Sequence, residues 1–459
     1  MHIFPKIRIT ADNKLGTKRV GITESLGKRL SLKDNDQLLI CAGKRKIPYV
    51  ISILPGKNDA AFMHTTNIHQ LCLTPDSEYG YIYNAGELRL GPMVGIMIEI
   101  LGGPSKRYAG QTTFIKSLII RGQELGEICF AFSPYAINWQ RQLVTGYTFR
   151  KGAWVKQTFP FPDVVYPRER TYAYSRVIVE IRKKFDALGV KFLNPQLAGK
   201  WVTYQTINNQ PHLKDFVPDT RLLTNFTVVE AMLKKYRTVY LKPIIGSKGQ
   251  NIIRVTRNRS NKLYQYQYQK NQKAVRGAAT SLGQLKASLS SVMGKRDYLV
   301  QQGINLLIDE GHITDIRVIV QKNHTGKWMV TGIGCRMGPA GSITSNLSSG
   351  GRGAKLTTVL ERHFSSQQQR DQIESDIRYI ALESARVLEK TIGSAGEMGV
   401  DLGIDVDGKV WFIEANLRPA RRIFRLIDEP FIRQQSIVNP MLYSRYLAGF
   451  SGKEYAECK

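Results

Sequence analysis

GEMGVDLGIDVDGKVWFIEANLRPARRIF, residues 396–424, decides how the rest of the chain is read. It divides into an apolar run carrying Asp401, a break at residues 405–408 (Asp-Val-Asp-Gly), and a second apolar run that delivers Glu414 and Asn416. Asp-Gly between two alternating apolar runs is the strongest short-range signal for a β-hairpin. In such a hairpin the residue entering the first strand lies beside the residue leaving the second, so Asp401 and Glu414 become neighbours. Two adjacent carboxylates repel unless positive charge sits between them. Magnesium supplies that charge, takes oxygen ligands and commonly shares its remaining positions with water and nucleotide phosphates. Asp401, Glu414 and the amide oxygen of Asn416 fit that donor set. An ordinary solvated hairpin with scattered acids is the plain alternative.

Outward from this hairpin, residues 297–304 (DYLVQQGI) read as a strand ending in two glutamines. After an insertion at residues 305–313, TDIRVIV (314–320) and residues 329–336 read as further strands, followed by SNLSSGG at 345–351. Antiparallel strands whose polar ends meet at one edge are the simplest reading, and Arg317 taken alone is either a surface strand arginine or a functional one. Further upstream, YLKPIIGSKGQNIIR (240–254) is a strand carrying Lys242, a Gly-Ser-Lys-Gly turn and a second strand. Glycines let backbone amides approach an anion, and the lysine adds a point charge. The strand-to-strand context differs from a Walker loop. The alternation YQYQY at 264–268 predicts a surface hairpin rather than a stacking platform.

The outer parts of the chain set the bounds. At 459 residues, a prior of ~150 residues per domain suggests about three domains. Residues 1–90 show short alternating runs broken by Gly, Pro, Asn and Asp, which predict a β-rich barrel or sandwich. Residues 91–190 begin with a continuous apolar run and continue as helix, strand, strand and helix, the pattern of a small parallel α/β domain; Gly102 and Gly103 read as a turn. Residues 191–459 form the third domain, so the fold class is α+β and α/β multidomain. No apolar run approaches the ~20 residues of a membrane span, and the first residues lack the order of a signal peptide, so the expected place is inside the cell. The five cysteines are scattered, with no CxxC, which predicts neither a zinc site nor a disulfide framework. The seven histidines show no metal spacing. Sixty-six Lys and Arg against 37 Asp and Glu give +29. Such an excess favours polyanions in general, and no nucleic-acid signature accompanies it.

Taken as an ordered set, Lys242 with its glycine turn, LVQQGI, TDIRVIV, Arg336, SNLSSGG and GVDLGIDVDGKVWFIEANLRP resemble the ATP-grasp ligases. The order is closest to RimK-type glutamate ligases and more distantly similar to D-alanine ligases. The whole chain, with LRLGPMVGI and PDVVYPR, resembles the endospore coat-associated YheC/YheD family of ATP-grasp proteins. That resemblance implies a pre-ATP-grasp domain at 91–190 and an ATP-grasp fold holding nucleotide between two lobes at 191–459. It implies that Lys200 and Lys242 contact ATP, and that Gly246, Ser247 and Gly249 belong to a lid over the phosphates. Gln302, Gly303 and Ile304 would be the adenine hinge and Asp315 the ribose contact, with Asp309 or Glu310 as alternatives. Ser345 and Asn346 would touch nucleotide, and Arg317 and Arg336 would act at the reacting phosphate. Asp401, Glu414 and Asn416 would hold one or two magnesium ions. Three departures stand out: Gln302 replaces a usual glutamate, Gly399 replaces the arginine of D-alanine ligases, and Lys200 lacks its usual preceding aspartate. Arg418, Arg421 and Arg422 make a basic edge that is either solvated or a carboxylate site. The implied activity is an ADP-forming carboxylate-amine ligase that works through an acylphosphate on an unknown carboxylate and amine, such as an anionic polymer or peptide. The implied setting is the cytoplasm of a mother cell, with spore-coat association. A non-catalytic nucleotide-binding coat component is the alternative.

Overall fold

The structure, a computed structural model, describes residues 4–450 apart from 101, 104–105, 170–175, 197–198, 247–248, 259, 261, 271–272, 340–342, 344 and 346–350. The chain divides into two compact units: residues 1–194 with 322–327 and 437–459, and residues 195–321 with 328–436.

In the first unit, alternation closes on itself. Seven strands form a closed barrel in the order Lys6–Ala11, Ala60–Met63, Arg19–Thr23, Arg45–Leu54, Gln37–Ala42, Glu87–Leu90, Ser77–Asn84. Ile7, Ile22, Ile40, Ile51 and Leu88 lie inside it, all fully buried. A six-stranded sheet follows. Its parallel part pairs Ile128–Asn138, Met93–Met97, Val164–Pro167 and Lys191–Phe192 in that order. Every residue of Met93–Met97 is buried, as expected for a strand covered on both faces. The helix Thr112–Glu124 makes the first crossover. Two antiparallel strands, Leu143–Arg150 and Ala153–Pro160, extend this sheet beyond the expected α/β pattern. Ile437, Met441, Tyr443 and Phe450 complete its core from the far end of the sequence.

The second unit has two lobes. The first is an antiparallel sheet in the order Thr220–Leu222, Tyr298–Gln302, Thr238–Pro243, Ile253–Arg257, Tyr264–Lys270, Lys273–Ala279. One face carries Val239, Leu241, Ile253 and Val255 and packs on helices Phe226–Tyr236 and Leu282–Met293 through Val229, Leu233, Leu285 and Leu289. The second lobe is a sheet in the order Arg352–Ala354, Trp328–Met337, His312–Lys322, Glu397–Ile404, Val410–Asn416. The helix Gln367–Ile392, capped by the Ser366 hydroxyl, which accepts from the Gln369 N–H, lays Ile373, Ile377, Ile380 and Ala381 on it. That i, i+4, i+7, i+8 stripe is the apolar face an amphipathic helix presents to a core.

Candidate functional site

The hairpin of Glu397–Ile404 and Val410–Asn416 turns where Asp-Gly places it. Gly408 adopts φ +90°, open to glycine at little cost, and its N–H donates to the Asp405 carbonyl at 3.0 Å. Asp401 lies directly opposite Glu414, with a bulge between Asp401 and Leu402. A bulge re-aims side chains and is common beside active sites. Asn416 lies opposite Gly399. A Cβ at Gly399 would stand 2.9 Å from Pro419 Cβ and 3.3 Å from both amide atoms of Asn416. The space beside Gly399 is thus filled by Pro419 and the Asn416 amide.

Asp401 is held hard. Arg317 Nε donates to its Oδ1 at 2.5 Å and Arg317 Nη2 to its Oδ2 at 2.9 Å. Arg336 Nη2 also reaches Oδ2 at 2.9 Å. Burial opposes charge on Asp401, yet Arg317 and then Arg336 outweigh it and hold the pKa at about 2. Arg336 forks onto Asp315 through Nε at 2.6 Å and Nη2 at 2.5 Å, and Ser345 Oγ donates to the same carboxylate. Burial pushes Asp315 upward. For Arg336, Asp315 and Asp401 outweigh burial and raise its pKa. The ribose candidate Asp315 is thus engaged by Arg336 and Ser345. Its alternates lie elsewhere: Asp309 is buried against Arg362 and His363, and Glu310 pairs with Arg362.

Across from this network stands the other lobe. The strand Thr238–Pro243 alternates half-buried and buried residues, so Tyr240 and Lys242 share the face away from the helices. Lys242 Nζ donates to Gln301 Oε1 at 2.5 Å, and Gln301 Nε2 donates to Thr220 Oγ1 at 3.0 Å. Desolvation lowers the Lys242 pKa to about 8, against the pull of Glu414. Gln302 points otherwise: its Oε1 accepts from the Asp219 N–H at 3.1 Å. A two-residue period puts adjacent residues on opposite faces, so Gln301, not Gln302, stands beside Lys242. Applying that period to YLVQQ would have found Gln301, and applying it to YLK would have found Tyr240.

Between the lobes lies a cleft of about 840 Å³, counted out to open solvent. Of the expected residues, Lys242, Gly249, Gln302, Ile304, Asp315, Arg336, Ser345, Asp401 and Glu414 line it. Lys200, Gly246, Gly303, Arg317 and Asn416 stand behind or beside that lining. Lys200 begins the helix Lys200–Asn208, donates to the Gly246 carbonyl at 2.8 Å and lies 3.5 Å from Glu414 Oε2. The Gly303 N–H donates to the Thr238 carbonyl at 2.9 Å. Ser247 and Asn346 lie outside the described residues. Pro218, Ile252, Leu306, Ile313, Ile343 and Ile413 give the cleft an apolar wall that motif reading did not name. An apolar slot with a few convergent charges is the usual form of a small-molecule site.

The basic edge after the hairpin is corrected in one position. Arg421 is buried, paired with Glu397, and its Nε donates to the Ser436 carbonyl at 3.1 Å, so it serves neither a solvated face nor a carboxylate ligand. Its neighbour Arg422 is exposed.

The donor set fits magnesium in chemistry. Glu414 keeps about 41% of its side chain exposed at the cleft, and it faces Asp401 across the bulge. A carboxylate has about four lone-pair sites, of which Asp401 spends three on the arginines.

Residues 189–447 match the family described as YheC/D like ATP-grasp. The chain is 28% identical over 400 residues to the endospore coat-associated protein YheD of Bacillus subtilis (strain 168), covering 86% of this chain and 87% of that one. It is 23% identical over 355 residues to the endospore coat-associated protein YheC of the same organism, covering 76% and 95%. Among solved structures, the D-alanyl-alanine synthetase A of Vibrio cholerae O1 biovar eltor is similar, with TM-score 0.44, 11% identity and coverage of 79% and 98%. Among the described residues no helix is long and apolar enough to cross a membrane.

Proposed function

Because the chain belongs to the YheC/D-like ATP-grasp family, we propose that it is an ADP-forming carboxylate-amine ligase whose cleft takes ATP. One observation carries the reading: Asp401 and Glu414 stand opposite each other on a bulged hairpin, in a cleft whose other wall presents Lys242. The apolar wall suits the adenine, Lys242 and Lys200 suit the phosphates, and Arg336 in the cleft lining suits the γ-phosphate, where charge passes between two anions, with Arg317 acting there through the Asp401 it holds. A substrate carboxylate oxygen attacks the γ-phosphorus, the bond to the β-phosphate oxygen breaks, and ADP leaves with the electron pair. An amine then attacks the acyl carbon, phosphate leaves, and the amine proton is lost to solvent. Glu414 and Asn416, with the remaining lone pair of Asp401, would hold one or two magnesium ions. When bound, magnesium neutralises phosphate oxygens and helps ADP depart. The division into modules at 1–90, 91–190 and 191–459, the last lending residues 437–450 to the core of the 91–190 module, and a role in the mother-cell cytoplasm or at the spore coat, belong to the same proposal.

Calorimetric titration with ATP, with magnesium or with EDTA, tests it first. ADP release with hydroxylamine as amine trap, across candidate polycarboxylates, tests it second. Glu414→Gln should lose ~3 kcal/mol of transition-state stabilisation, roughly 10²-fold in turnover. AMP as product, or equal ATP affinity with and without metal, overturns the reading. A second reading, nucleotide binding without turnover in a coat component, is favoured by the three arginine hydrogen bonds that occupy Asp401. Unchanged slow hydrolysis in Glu414→Gln would select it.

A further inference from the structure

Sixteen lysines and arginines fall between residues 220 and 302 against two acids, Glu230 and Asp297, whereas the rest of the chain carries 50 against 35. This window is the first lobe. Lys262, Lys270, Lys273, Arg276, Lys286 and Lys295 are exposed there, without an acidic partner among the described residues. Like charge gathered on one small body repels itself, so a polyanion brought to it gains.

The sheet register gives the charge a direction. Gln301, Tyr240, Arg254, Gln267 and Arg276 are directly opposite one another on five successive strands. Paired residues share a face, and the other face is taken by the two helices. Arg254 Nη2 donates to Gln267 Oε1 at 2.9 Å. The row begins at Gln301 and Tyr240 in the nucleotide cleft and ends at Arg276 on Lys273–Ala279, the last strand of the sheet. Strands lie about 4.8 Å apart, so this edge is roughly 14 Å from the strand of Lys242. That exceeds a Debye length of about 8 Å at physiological salt. A nucleotide held at Lys242 gains little from Arg276. An extended chain reaches both.

Gln267 and Gln301 are buried, which leaves Tyr240 and Arg254 half-buried and Arg276 exposed as the row's accessible members. We propose that the first lobe docks an acidic polypeptide over Arg254 and Arg276 and along this edge, and that this polypeptide supplies the carboxylate activated in the cleft. The second half rests on the ligase reading; the docking itself does not. Arginine forks onto carboxylates with two parallel hydrogen bonds, and an unpaired strand edge accepts an extended peptide. Nucleic acid fits less well, because single strands need exposed aromatic rings, and Tyr264, Tyr266 and Tyr268 are turned into the helix-covered core. Edge lysines also discourage sheet-to-sheet aggregation. That accounts for Lys273 but not for Arg254 and Arg276 in line with the cleft.

The test is fluorescence anisotropy of the full chain at physiological salt with a labelled oligo-glutamate, against a single-stranded DNA of equal charge. Lys273→Glu with Arg276→Glu should weaken the oligo-glutamate by about tenfold or more, while calorimetric Mg·ATP affinity stays as in the parent. Unchanged oligo-glutamate binding in that variant overturns the docking site. Tighter binding of the DNA, equally sensitive to the variant, overturns the choice of partner. Oligo-glutamate binding without any ATP binding upholds the docking and overturns the nucleotide reading alone.

Discussion

Asp401 and Glu414 look equivalent as letters and differ as physical objects. Asp401 is buried between two arginines, whereas Glu414 is half-exposed. Removing one member of a buried ion pair strands the other and costs about 3–5 kcal/mol. Asp401→Asn should therefore lower stability by that order in denaturant titration, whereas Glu414→Gln should leave it within about 0.5 kcal/mol. The sign with pH follows from a depressed carboxyl. Its contribution is full above the unfolded pKa of about 3.9 and fades as pH falls through the folded value of about 2. Lys242 works the other way. Its pKa of about 8 lies below the unfolded value, so the unfolded chain binds more protons and stability rises with pH between about 8 and 10.4. Phosphates beside it would restore the charge. Mg·ATP binding at pH 8.5 is expected to take up about three quarters of a proton, since a group with a pKa of about 8 is already about one quarter protonated there, measured by calorimetry in buffers of different ionisation enthalpy. Lys242→Arg, always charged, should abolish the uptake, and uptake that survives the substitution would assign the proton elsewhere.

The elements divide into those that local chemistry announces and those that need a partner. The hairpin was legible because Asp-Gly and two alternating runs define both its turn and its facing residues. The first 90 residues announced strands but not closure, since a period of two is the same in a barrel as in a sandwich. The antiparallel pair 143–160 was missed for want of a strong turn signal. The Asp315–Arg336 pair joins neighbouring strands, so it depends on register that sequence alone did not give. Gly399 shows what register adds. An alanine there would press on Pro419 and the Asn416 amide while leaving the strand pairing intact. Gly399→Ala is expected to weaken metal affinity in the nucleotide complex by about 10- to 100-fold, the range seen when a ligand loses its support. Titration with manganese followed by electron paramagnetic resonance measures it, and full affinity in the variant would remove Asn416 from the metal set.

At the scale of the whole molecule, composition was informative about amount and silent about place. A charge of +29 says polyanion, and only the strand order turns it into a row leading to one cleft. One feature of the chain path bears on how the protein is made. The first unit's core takes Ile437, Met441, Tyr443 and Phe450 from beyond the second unit. On a ribosome adding about 5–20 residues per second, the roughly 240 intervening residues take on the order of 10–50 s. Throughout that interval Ile115, Leu118 and Ile119 have been synthesised, while the tail that covers their cluster has not. A chain ended after residue 436 should consequently stay bound to chaperones or aggregate, and supplying residues 437–459 as a separate peptide should restore solubility in a cell-free translation. Residues 437–450 thereby act as the closing step of a unit whose other strands and helices precede them by roughly 240 residues, and the nascent protein is exposed to proteases for the time its middle takes to be read.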